Sequence, residues 1–272
     1  MQKRRLDTLL AERGLFPSRT RAAASVMAGE VRVGAGGRRA AKPGELVDVE
    51  TQLLVDERPD FVSRGGTKLA NALGESGLQV RDRSALDVGA STGGFTDCLL
   101  QRGAREVIAV DVGYGTLDYR LRTDPRVRVL ERTNARALSP ELLPPDSAGG
   151  PGLPDLATID VSFISLAKVL GPVLGCLASG FDVLALVKPQ FELGRGRVGK
   201  GGVVRDPEDR RAALIDVGRS ALQMDVTVRG YHSSGLPGPK GNRETFIWLT
   251  DGGEAGTREE RELESLARRV EP

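Results

Sequence analysis

The chain has 272 residues, 39% of them apolar and 28% charged, with a formal net charge of +2. That length and apolar content fill one large core, or a large and a small one, and exclude a disordered chain or a small disulfide scaffold. The near-neutral total hides an uneven spread: residues 1–45 hold ten Lys/Arg against four Asp/Glu, an excess of six, which points to a polyanion-facing end.

Residues 1–60 read as a small α/β module. "RLDTLLAERG" has apolar residues at helix spacing (Leu6, Leu9, Leu10) and stops at Gly14. "SRTRAAASVMAGE" begins with Ser18 as N-cap and ends at Gly29. "EVRVG" and "ELVDVE" alternate as short strands. Arg4, Arg5, Arg19, Arg21 and Lys42 surround the two helices. This order, with Leu6-Asp7, Ser18-Arg19, Ala22-Ala23, "GEVRVGA" and "KPGELV", resembles the ribosomal-protein S-four RNA-binding fold. The resemblance implies that Ser18 and these basic residues lie against an RNA backbone, where charge gives affinity with little sequence readout.

A charged, proline-bearing segment at 57–63 is the expected linker. After it strands and helices alternate almost to the end. "SRGGTKLANAL" is a helix, "SALDVG" a strand, "GGFTDCLLQRG" a helix and "EVIAVDVG" a strand. "VRVLE", "LATIDVSF" and "FDVLALV" follow as strands. "DPEDRRAALIDVGRSALQM" is a helix starting at Asp206 or Pro207, and "VTVRGYHS" and "ETFIWLT" close the series. The pattern predicts an α/β fold with a doubly wound, Rossmann-like sheet over 61–250. Residues 144–154 read as a low-complexity loop, and 251–272 as a tail carrying a surface helix. The apolar stretch 166–178 is broken by Lys168, Gly171, Pro172 and Gly175, so it cannot cross a bilayer. Cys98 and Cys176 have no metal-ligand spacing and are too few for a disulfide framework, and no metal site is expected; a cytoplasmic location is.

"LDVGASTGGFTDCLL" is a strand, a glycine turn and a helix start. Its spacing differs from the dinucleotide G-x-G-x-x-G. Glycines let backbone approach a ligand, and the helix start adds a positive dipole end. Asp87 on the strand suits a ligand amino group rather than a pyrophosphate. Asp111, about twenty residues past the turn, stands where a ribose-binding acid is expected. Asp87, Gly89, Ala90, Ser91, Gly93, Gly94, Phe95 and Asp111 are therefore the expected contacts for S-adenosylmethionine in a class I methyltransferase.

Ligands of open α/β sheets bind at strand carboxyl ends. Asp160 ends "LATID" and Lys188 ends "FDVLALVK", so both are expected at one rim. With Lys68 in "SRGGTKL" and Glu244 in "NRETFIWL", they resemble the Lys-Asp-Lys-Glu tetrad of FtsJ-like ribose 2′-O-methyltransferases. A ribose hydroxyl is a poor nucleophile, and a lysine made less basic by burial and a nearby ammonium can take its proton. In this reading Asp160 orients Lys188, Lys68 positions the hydroxyl, and Glu244 anchors Lys68 or the ribose.

The motifs "FVSRGGTKL", "DVGYGTLDYRLRTDPRV", "ERTNAR", "DVSFISL", "LVKPQFE", "GGVVRD" and "LPGPKGN" occur in that order. With the N-terminal module, they are similar to the TlyA family over nearly the whole chain. The resemblance implies cytidine 2′-O-methylation of 16S and/or 23S rRNA within ribosomal subunits, and a link to capreomycin susceptibility. It comes with a "hemolysin" label. Arg64 after the linker and Arg195, Arg197 and Lys200 of the basic loop are further expected RNA contacts, and a monomer is expected. Carbon-5 base methylation would need a cysteine in a pocket, and amine methylation a diproline turn after the fourth strand; neither pattern is present. A non-catalytic RNA-binding protein and a membrane-active hemolysin are the alternatives.

Overall fold

A computed structural model describes residues 2–27, 29–55, 60–145, 152–199, 201–252 and 256–271. The chain divides into two compact units, 1–59 and 60–272.

In the first unit β1 (Lys3–Arg5) leads into α1 (Leu6–Glu12), followed by α2 (Arg19–Met27). The strands β2 (Val31–Val33), β3 (Arg38–Arg39), β4 (Leu46–Asp48) and β5 (Leu53–Val55) complete it. They pair as β1–β4 and as β3–β2–β5. The helix-spaced Leu6, Leu9 and Leu10 meet Ala22 and Val26 of α2 and the inward side chains of β2, in one apolar cluster. Ser18 does act at the α2 start: its Oγ accepts the Arg21 N–H at 3.3 Å.

In the second unit α3 (Arg64–Ser76) ends on Gly77 in the left-handed region. Then come β6 (Ser84–Val88), α4 (Gly94–Gln101), β7 (Glu106–Val110), α5 (Tyr119–Arg122), β8 (Val127–Leu130) and β9 (Leu156–Ile159). They are followed by α6 (Leu170–Leu174), β10 (Asp182–Val187), α7 (Pro189–Glu192), α8 (Pro207–Leu222), β11 (Thr227–Ser233), β12 (Thr245–Thr250) and α9 (Glu260–Val270). The seven-stranded sheet has the order β11-β12-β10-β9-β6-β7-β8. Neighbours from β10 to β8 run parallel, and β12 is antiparallel to both β10 and β11. Strands β6, β7 and β9 are buried at every residue. Covered on both faces, they need continuous apolar sequence rather than alternation. Two apolar clusters, one against each face, account for most of the interior.

The predicted start of α8 is found as read: Asp206 accepts the Glu208 N–H at 2.9 Å and Pro207 fills the first turn. The C-terminal helix, expected to be a surface element, buries Leu263 and Ala267 in the main cluster. The expected linker residues 57–59, Lys200 and residues 146–151 of the expected loop lie outside the described residues. Among the described residues, no helix is long and apolar enough to cross a membrane.

Candidate active site

The carboxyl ends of β6, β7, β9 and β10 share one rim of the sheet, and the site is built there. The turn after β6 depends on glycine. Gly89 has φ +88°, and a Cβ there would stand 2.5 Å from the Asp160 carbonyl oxygen. The β6 turn thus runs directly against the chain leaving β9. Gly93, at φ +97°, is the N-cap of α4, and a Cβ on it would strike Leu117 and Leu121. Asp111, just past β7, ties the two turns: its carboxylate accepts the Ser91 N–H at 2.7 Å and the Gly113 N–H at 2.6 Å.

An open cleft of about 460 Å³ lies over these turns. Val88, Gly89, Ser91, Val110, Asp111 and Val112 line it together with residues 160–164, Thr133, Asn134, Ala135 and Arg136. Of the eight residues expected to contact a cofactor, Gly89, Ser91 and Asp111 line this cleft. The remaining five are buried and do not line it. Asp87 is fully buried and accepts hydroxyl hydrogen bonds from Thr96 at 2.6 Å and Thr158 at 3.2 Å. Burial pushes its carboxyl up to about 7, with the Asp160 charge adding to the rise. The inward face of a central strand carries Asp87 into the core, so it braces the turn from beneath. Ala90 is nearly buried, Gly94 packs against Ser63 and Gly66, and Phe95 is buried against Phe246 with ring centroids 5.6 Å apart.

The cleft fits S-adenosylmethionine on its own chemistry. Gly89 and Ser91 bring the turn after β6 to the cleft surface. Asp111 offers acceptor positions for ribose hydroxyls, and the valines supply apolar contact for a purine.

The four predicted polar residues come together as two ion pairs. Lys188 Nζ lies 2.6 Å from Asp160 Oδ1 and also donates to Ser162 Oγ at 2.9 Å. Lys68 on α3 pairs with Glu244 in a closely held contact. Strand register explains the meeting. Ile159 pairs with Ala185 and β10 runs on to Val187, so Lys188 stands beside the segment that leaves β9 through Asp160 and Ser162. Val187 pairs with Thr245, so Lys188 and Glu244 continue that ladder by one step. Lys68, Lys188 and Glu244 are 7%, 8% and 3% exposed. Buried charges of this kind require partners, and each has one. Lys188 is also the N-cap of α7, the short helix that takes the chain away at Pro189.

Three features of the rim escaped the sequence reading. Ser162 stands two residues after Asp160, within "DVSF". Asn134 lines the cleft from within "ERTNAR" and caps a single helical turn by accepting the Arg136 N–H. Phe163, 90% exposed with φ +65°, holds its ring 5.1 Å from that of Phe191. Cys98 and Cys176 are buried, which pushes their thiols up to about 12 and about 11, so neither is a ready nucleophile.

The basic residues named for RNA fall in several environments. Arg5 and Arg19 both bond the buried Asp7, Arg5 Nη2 at 2.7 Å and Arg19 Nε at 3.2 Å. Their hydrogen bonds and charge, Arg5 first, pull the Asp7 carboxyl down to about 2. Arg4 pairs with Glu12 at 3.0 Å, while Arg21 and Lys42 are exposed. In the second unit Arg64 donates to the Pro237 carbonyl at 2.7 Å and Arg197 pairs with Asp209 at 2.6 Å. Arg195 opens a helical turn, Arg195–Arg197.

Comparison with known proteins decides the family. The FtsJ-like methyltransferase profile matches residues 61–251, and the S4 domain profile matches residues 4–53. The 16S/23S rRNA (cytidine-2′-O)-methyltransferase TlyA of Mycobacterium tuberculosis is 48% identical over 250 residues, 91% of this chain and 90% of its own. The chain belongs to the TlyA family of FtsJ-like methyltransferases. Hemolysin A of Brachyspira hyodysenteriae is 37% identical over 88% of this chain and 97% of its own. A solved structure described as a hemolysin, from Streptococcus thermophilus, superposes with a TM-score of 0.72 at 40% identity, covering 99% of this chain and 96% of that one.

Proposed function

We propose that the protein methylates the ribose 2′-hydroxyl of a cytidine in ribosomal RNA, in the cytoplasm, using S-adenosylmethionine. The observation that carries the reading is the Asp160–Lys188 ion pair of 2.6 Å, whose carboxylate end lines the cleft. When bound, S-adenosylmethionine supplies an electrophilic methyl group. Asp111, Gly89 and Ser91 hold it against the valine-lined wall. Asp160 fixes the Lys188 rotamer, and Lys188 takes the hydroxyl proton. Glu244 fixes Lys68, which anchors the ribose beside it. Holding the hydroxyl in line with the methyl group supplies much of the rate.

The substrate class is supported by the S4 domain match and by the name of the Mycobacterium tuberculosis relative. Arg5 and Arg19, clamped by Asp7, present their remaining N–H groups as a pair suited to phosphates.

The test is methyl transfer from tritiated S-adenosylmethionine to purified 30S and 50S subunits, with nuclease mapping. Label confined to rRNA of one or both subunits is expected. No label on either, with RNA binding intact, would favour a non-catalytic RNA-binding protein.

A further inference from the structure

The cleft and Lys188 are separated by a step. Among the described residues that line the cleft are Asp160 and Ser162; Lys188, 8% exposed, is not one of them. A ribose lying in the cleft therefore meets the outer side of the ion pair. Two polar groups that line the cleft, Asp160 and Ser162, contact Lys188. Asp160 is already engaged by Lys188 at 2.6 Å. Ser162 is exposed, and its Oγ is 2.9 Å from Lys188 Nζ. When Nζ is an ammonium it donates to Ser162 Oγ, which leaves the serine proton directed elsewhere. When Nζ is an amine the same contact can carry the serine proton inward.

We propose that Ser162 is a catalytic residue, relaying the ribose proton to Lys188. The proposal rests on the function given above. The 2′ O–H bond breaks as an O–H bond forms on Ser162 Oγ. The original serine O–H bond breaks as an N–H bond forms on Nζ. The electron pair left on the 2′-oxygen forms the O–C bond, and the methyl carbon separates from sulfur, which keeps that bonding pair. Ser162 ends as it began, Lys188 ends as an ammonium, and Asp160 stabilises the new charge.

The geometry also fixes what a substitute must have. Threonine keeps the hydroxyl on the same Cβ, whereas alanine removes it without changing charge. The experiment measures single-turnover methyl transfer by wild type, Ser162→Ala, Ser162→Thr and Lys188→Ala, with cofactor affinity from calorimetry. A proton inventory in H₂O/D₂O mixtures accompanies it. Ser162→Ala is expected to slow the step about 10²-fold, the lower end for general acid–base groups. Cofactor affinity is expected to stay within about 3-fold and Ser162→Thr to keep most of the rate. The inventory is expected to be bowed in wild type, since two protons move together. A Ser162→Ala rate within about 3-fold of wild type would overturn the relay, as would a linear wild-type inventory or a loss that threonine does not recover. Full turnover by Lys188→Ala would instead overturn the function on which the relay depends.

Discussion

Lys188 and Asp160 leave adjacent parallel strands and meet beyond their ends, Nζ to Oδ1 at 2.6 Å. The pair exists because β9 ends at Ile159 opposite Ala185 while β10 runs two residues further, which sets Lys188 beside the chain leaving β9 at the rim that carries the glycine turn. Lys188→Ala should therefore lower single-turnover transfer by about 10³-fold or more, the range expected of general acid–base groups. Retention of cofactor binding in calorimetry would separate this loss from unfolding.

The second ion pair predicts a stability effect. Lys68 and Glu244 are buried against each other. Removing one partner leaves an unpaired buried charge, which costs about 3–5 kcal/mol. Lys68→Met should thus destabilise strongly in urea denaturation. Lys68→Met combined with Glu244→Leu should recover a large part of that loss, because no buried charge remains.

Gly89 couples the cofactor turn to Asp160. Gly89→Ala would set a Cβ 2.5 Å from the Asp160 carbonyl oxygen and force a side chain onto φ +88°. Strain of this kind costs about 1–3 kcal/mol. The variant should lose stability by that amount and lose transfer by more, since Asp160 must move. Denaturation midpoints and turnover measured on the same sample check both parts.

Asp87 predicts a pH dependence. Burial raises its carboxyl to about 7, above the ordinary value of 3.8. The stability associated with its protonated form is full below pH 3.8 and is lost as pH rises towards 7, by at most about 1.4 kcal/mol per pH unit. Asp87→Asn escapes that loss. Its stability relative to wild type should climb between pH 5 and 7 and level off above. A flat difference across pH 5–8 would mean that Asp87 is ionised throughout.

Asp7 organises the basic face of the first unit. Its carboxyl is pulled down to about 2, so the stabilisation it gives is present above pH 3.8 and lost as pH falls to 2. Asp7→Asn should loosen Arg5 and Arg19 together. Filter binding to rRNA across salt concentrations should show weaker affinity; Arg5→Ala or Arg19→Ala should also reduce the slope of log K against log salt by about 1 each.

Much of this was legible in the sequence because the signals are periodic or chemical. Continuous apolar runs ending in Asp160 and Lys188 marked strands and their rims at once. Asp206-Pro207 marked a helix start. What the sequence did not show is depth, which depends on three-dimensional packing. Asp87 lies on β6, which is buried at every residue, and Thr96 and Thr158 hold its carboxylate there. Phe95 lies past the turn on the buried side of α4. Short elements such as α5, α7 and β3 span four, four and two residues, too few for any period to appear. Ser162 gave no signal of its own, since a serine after a strand is ordinary until its contact with Lys188 is seen.

The most direct test of the account is nucleoside mass spectrometry of rRNA after incubation of unmodified subunits with the protein and S-adenosylmethionine. The account predicts 2′-O-methylcytidine, absent when Lys188→Ala is used. A cytidine methylated on its base would contradict it, because nothing would then require the proton on the ribose to reach Lys188.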